Sequence, residues 1–125
     1  MTRILIVDDE RQNRDLLEIM LASEGYHVLA AASGEDALAV VTRRPPDLIL
    51  VDVMMPRMDG YQFVAAIRAD DATRRIPVIL ITGLDDHDAR TAGLNAGADG
   101  FLSRPVDRAE LCECVKVQLR LAAAG

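Results

Sequence analysis

Three carboxylates, one hydroxyl and one guanidinium stand just after apolar runs in this chain. Asp8 and Asp9 follow Ile4 to Val7, Asp52 follows Leu48 to Val51, Thr82 follows Val78 to Ile81, and Arg104 lies just beyond Gly100 to Leu102. If those runs are strands of one sheet, the side chains share its carboxyl edge, where open α/β sheets bind ligands. Three carboxylates gathered there repel and raise one another's pKa unless a cation neutralises them. Hard oxygen donors that leave positions for water and a phosphoryl group suit Mg²⁺ or Mn²⁺. A hydroxyl at Thr82 can donate to a phosphoryl oxygen, and a cation at Arg104 can pair with one. Each residue alone has a plainer reading. Asp after a strand caps a helix or starts a turn, threonine there is a turn residue, and arginine before proline is a solvated loop charge. The arrival of all five on one edge, from four separate runs, is what points to chemistry.

The elements that must position them follow from the hydrophobic pattern. Five short apolar runs, the second at His27 to Ala31, alternate with helical patterns and predict an α/β domain with a parallel sheet. The first, third and fourth runs have almost no polar interruption, as strands covered on both faces do, and should be central. Leu16, Leu17, Met20 and Leu21 recur at helical spacing, closed by Gly25. Ser33 with Asp36 resembles a capping box for a helix over Glu35 to Val41, ended by Pro45 and Pro46. Phe63, Val64 and Ile67 stripe a third helix. Ala89, Ala92, Leu94 and Ala96 form a weak fourth that ends at Gly97, and Leu111, Val115 and Leu119 mark a fifth.

With 125 residues and 50% of them hydrophobic, the chain suits one domain over residues 1–125, with Ala122 to Gly125 as the start of a connection. The longest apolar stretch, 48–55, is broken by Asp52 and falls short of the roughly 20 residues a membrane span needs. No basic and apolar leader opens the chain, so the expectation is a soluble, cytoplasmic protein without a membrane partner. The net charge of −6 has the wrong sign for unaided attraction to nucleic acid. Cys112 and Cys114, two apart on a predicted helix, point about 200° away from each other. They read as small apolar residues in a reducing compartment, not as a disulfide or metal pair.

Taken in order, five segments resemble the motifs of response regulator receiver domains of two-component signalling. They are Ile6-Val7-Asp8-Asp9-Glu10, the stretch from Asp52 through Met54, Pro56 and Asp59 to Gly60, Thr82-Gly83, Gly97-Ala98-Asp99-Gly100-Phe101, and Arg104-Pro105. The resemblance runs the whole chain. It implies a flavodoxin-like fold, a single five-stranded parallel sheet in the order 2-1-3-4-5 with five helices on both faces. It implies that Asp52 takes a phosphoryl group from a histidine kinase or histidine phosphotransfer protein, while Asp8, Asp9, Asp52 and the Met54 backbone carbonyl hold Mg²⁺ or Mn²⁺. Thr82 and Arg104 would contact the phosphoryl group. Thr82 and Phe101 would be the switch pair, the hydroxyl moving toward the phosphoryl group as the ring turns inward. The peptide between Arg104 and Pro105 would be cis. Such a domain is a phosphoacceptor that slowly dephosphorylates itself, not a turnover enzyme, and it controls an output domain or effector protein. A homodimer is compatible with it.

One motif departs from the family, which normally carries lysine where this chain has Arg104. All but one of the 14 basic residues are arginine, Lys116 being the exception, so the change follows a bias of the whole chain. A guanidinium can pair with phosphate, but it is longer and planar where an ammonium is a point charge, and at rest it can pair with Asp52 or Asp8. The departure leaves open a pseudo-receiver, an interaction module with weakened or absent phosphorylation-dependent switching. A phosphatase of the haloacid dehalogenase type would need a second Asp where Met54 stands. A flavin site would need a loop friendlier to phosphate than Asp8-Asp9-Glu10. Asn13-Arg14 and Leu84-Asp85-Asp86 look similar to receivers that precede cyclic-dinucleotide enzymes or sit in hybrid kinases.

Overall fold

The computed structural model describes residues 1–83 and 87–124; Leu84-Asp85-Asp86, singled out above, lies outside the described residues. Five strands, β1 (Arg3–Val7), β2 (His27–Ala31), β3 (Leu48–Asp52), β4 (Val78–Thr82) and β5 (Gly100–Ser103), alternate with five helices. These are α1 (Arg11–Ala22), α2 (Gly34–Arg43), α3 (Gly60–Ala69), α4 (His87–Ala96) and α5 (Arg108–Ala124). All neighbouring strands run parallel, in the order β2-β1-β3-β4-β5. The expected fold is therefore the observed one.

Side chains alternate across a strand, so each unbroken apolar run feeds two cores at once. Leu5, Val7, Ile49, Val51, Val78 and Leu80 pack with Ala37 and Val41 of α2 and Phe63, Val64 and Ile67 of α3. Ile4, Ile6, Leu48, Leu50, Ile79 and Ile81 face the other way, against Leu17 and Leu21 of α1 and Leu111 and Val115 of α5. β3 and β4 are buried along their whole length, whereas β2 and β5 are partly exposed as edge strands.

Local chemistry sets the helix boundaries. Ser33 accepts from the Asp36 N–H, and α2 starts at Gly34 and runs to Arg43, slightly longer than its apolar stripe. A full capping box opens α3: Asp59 accepts from the Gln62 N–H at 2.8 Å, and the Gln62 side chain accepts from the Asp59 N–H at 3.0 Å. Gly25, at φ +89°, turns the chain after α1. Two stripes are narrower than their sequence pattern. Leu16 flanks the buried Leu17–Leu21 line and stays exposed, and Leu94 is 70% exposed because α4 buries only Gly93.

Candidate functional site

The register of the sheet brings the chemistry-bearing residues together. Val7 pairs with Val51, so Asp8 leaves β1 beside Asp52, the last residue of β3. Asp52 pairs with Ile81 and Thr82 pairs with Ser103, which puts Thr82 and Arg104 at the same edge. The Arg104 N–H donates to the Thr82 carbonyl at 2.8 Å, and the Arg104–Pro105 peptide is cis, as expected. Asp8, Asp9 and Asp52 each offer a carboxylate oxygen within 4.8 Å of the others.

Asp8, Asp52 and Thr82 are buried, while Asp9 is exposed. Asp8 is held from several sides: its carboxylate accepts from the Glu10 N–H at 2.9 Å, and its backbone carbonyl accepts from Arg14 at 2.8 Å. Arg104 bridges the two buried acids. Its Nη2 lies 2.5 Å from Asp8 Oδ2 and its Nη1 lies 3.3 Å from Asp52 Oδ1. The pairing anticipated for this arginine thus engages both carboxylates.

Asp52 carries the electrostatic signature of the site. Burial pushes its carboxyl up to about 6. The Arg104 guanidinium pulls against that rise, the Asp8 carboxylate adds to it, the Met54 N–H pulls it down by hydrogen bonding, and Asp9 adds a smaller push. Three crowded carboxylates, two of them buried and one resisting ionisation, form a donor set that a hard divalent cation would satisfy. Met54 lies two residues past Asp52.

Thr82 and Phe101 project to one face of the sheet. Leu80 is the register partner of Phe101, and Thr82 lies two residues beyond Leu80. Phe101 is partly buried against the core on the α2 and α3 side, and the Arg90 guanidinium of α4 sits 4.8 Å from its ring centroid. Arg90 and the hold of Arg14 on the Asp8 carbonyl escaped sequence reasoning, since their partners come from other elements. Asp8, Asp9, Asp52, Thr82 and Arg104 come together at this edge, whereas Phe101 lies inside β5, level with Leu80.

The family model for the response regulator receiver domain matches residues 4–116. Response regulator PleD of Caulobacter vibrioides is 50% identical over 105 residues, which cover 84% of this chain and 23% of PleD. A putative response regulator from Chloroflexus aurantiacus superposes with a TM-score of 0.92 at 37% identity, covering 95% of this chain and 98% of that one. A signal receiver domain of a signal transduction histidine kinase from Syntrophus aciditrophicus gives a TM-score of 0.89 at 35% identity, covering 96% and 91%. The chain belongs to the response regulator receiver domain family, the phosphoacceptor module of two-component signalling. It spans from about a quarter to about half the length of the curated relatives it matches. Among the described residues no helix is long and apolar enough to cross a membrane.

Proposed function

We propose that Asp52 accepts a phosphoryl group from the phosphohistidine of a histidine kinase or histidine phosphotransfer protein, and that Thr82 and Phe101 pass the change to an output domain or effector protein. The observation that carries this reading is the convergence of the Asp8, Asp9 and Asp52 oxygens within 4.8 Å, two of them spanned by Arg104.

Asp52 is the nucleophile because it ends a central strand, with Thr82 one register step away and Arg104 beside it. With its carboxyl at about 6, it is mostly ionised at neutral pH. One carboxylate oxygen attacks phosphorus and an acyl phosphate forms. The P–N bond of the donor breaks, and its electron pair returns to the imidazole nitrogen. Asp8, Asp9, Asp52 and the Met54 carbonyl would hold Mg²⁺ or Mn²⁺, which when bound neutralises charge gathering on the phosphoryl oxygens. Arg104 turns from the carboxylates toward a phosphoryl oxygen, and the Thr82 hydroxyl donates to another. The hydroxyl's movement and the ring of Phe101 are coupled because both lie on the face covered by α4.

The domain is an acceptor that slowly loses its phosphoryl group, not an enzyme turning over a separate substrate. Residues 1–125 form one such domain, working in the cytoplasm. Incubation with acetyl phosphate and Mg²⁺, followed by intact mass measurement, tests the reading. One phosphoryl group should add to the native chain and none to Asp52→Asn. A variant that gains phosphate at the full rate would place the acceptor elsewhere.

A further inference from the structure

Residues 53–59, between β3 and α3, form a loop fixed at its base and at its tip. At the base the Gly60 N–H donates to the Val53 carbonyl at 2.9 Å, and a Cβ on Gly60 would stand only 2.6 Å from the Asp52 carbonyl oxygen. The Asp59–Gln62 capping box holds the same end. At the tip Arg57 adopts φ +67°, a left-handed conformation that non-glycine residues avoid.

The first two residues of α2 hold that tip. Glu35 Oε2 lies 2.9 Å from Arg57 Nε. Met58 lies directly on Gly34, where a Cβ would come within 2.7 Å of its Sδ and 3.2 Å of its Cβ. Two successive loop residues are thus seated on α2, which is remote in sequence. Between the tip and Asp52 the chain is stiff: Pro56 fixes its own φ and restricts the residue before it, Met55. A rotation at Arg57 is therefore carried back along the loop toward Met54, two residues past Asp52, while the Val53 N–H holds the start of the loop to the Ile81 carbonyl at 2.9 Å.

We infer that Glu35 is a positioning residue for the phosphoacceptor site, acting through Arg57 to hold loop 53–59 and with it the Met54 peptide, two residues past Asp52. The inference rests on the proposed reading of that site. Glu35 touches neither a metal nor a phosphoryl group in this role. It is neither one of the acids at the sheet edge nor a neighbour of one in sequence. Because Arg57 and Glu35 are 70% and 47% exposed at the side chain, the latch is an ordinary surface ion pair, and its effect is severalfold.

The test is a four-member cycle of Mg²⁺ titrations followed by amide shifts, on the native chain, Glu35→Gln, Arg57→Gly and the double variant. Glycine accepts the positive φ without strain, so Arg57→Gly keeps the turn while removing the latch. Glu35→Gln should raise the Mg²⁺ dissociation constant about threefold in the native background. It should also move the Met54 amide resonance before any metal is added. In the Arg57→Gly background the same substitution should change neither. An equal loss in both backgrounds would mean that Glu35 acts through its charge or through the stability of α2, and would overturn the inference. So would an unchanged affinity in the native background. A native chain whose shifts on Mg²⁺ addition lie away from Asp8, Asp9 and Asp52 would instead refute the reading of the site itself, and the inference with it.

Discussion

Replacing Asp52 with asparagine should stabilise the metal-free protein, although it removes one partner of an ion pair. Folding raises the Asp52 carboxyl from 3.8 to about 6, so the ionised form is held at a cost even with Arg104 beside it. A rise of about two pKa units corresponds to roughly 3 kcal/mol, an upper figure because water and small shifts of the side chains relax it. The sign follows from linkage. Below the unfolded value of 3.8 both states are protonated and the cost is absent. It grows as pH rises through the window between 3.8 and about 6, with about half in place at pH 5, and it is complete at pH 8. The asparagine side chain carries no charge, so the variant escapes it. Urea unfolding in EDTA at pH 5 and pH 8 measures this directly. Asp52→Asn should be more stable by about 1–3 kcal/mol at pH 8, and the gap should shrink by roughly half at pH 5. Saturating Mg²⁺ should stabilise the native chain more than the variant and narrow the gap at pH 8. A variant less stable than the native chain at pH 8, or a gap independent of pH, would refute the reasoning.

Mg²⁺ titration should first perturb the amides of Asp8, Asp9, Asp52 and Met54, and shifts clustered elsewhere would misplace the ion. Arg104→Lys should leave phosphorylation intact, yet beryllofluoride should shift amides around Phe101 further than in the native chain. A guanidinium satisfied by Asp8 and Asp52 at rest contributes less differential affinity to the switch. Equal or larger shifts with the native arginine would show that the substitution does not weaken switching. Phe63→Ala, at a fully buried position of α3, should cost about 3–5 kcal/mol of stability in urea unfolding, and a smaller loss would mean the surrounding core collapses into the space.

The fold was legible because β1, β3 and β4 are continuous apolar runs and each is covered on both faces. Their boundaries were legible to within a residue, and the acidic residues at their ends marked the site. The two elements that were faintest in sequence, β5 and α4, are both thinly buried, β5 with Leu102 alone buried at a sheet edge and α4 through its single buried Gly93. Leu94 looked like part of a stripe because leucine counts toward periodicity whichever way it points. The Asp59–Gln62 capping box went unread, although an Asp with Gln three residues on, just before an apolar stripe, is its signal.

Other features could not be read locally. Arg68 donates to the carbonyls of Arg74, Ile76 and Gly97 and pairs with Asp99, tying α3 to the segments that lead into β4 and β5. Most of those partners are backbone oxygens, which no sequence pattern marks. The Glu35–Arg57 pair likewise depends on the close seating of Met58 on Gly34, a consequence of tertiary packing.

The central claim is that Asp52 is the residue that becomes phosphorylated, and locating the acyl phosphate tests it most directly. After reaction with acetyl phosphate and Mg²⁺, borohydride reduction converts a phosphorylated aspartate to homoserine, which tandem mass spectrometry of the digested chain can place. Conversion confined to position 52 is the predicted result. Conversion at Asp8 or Asp9, or none in a chain that has gained a phosphoryl group, would contradict it.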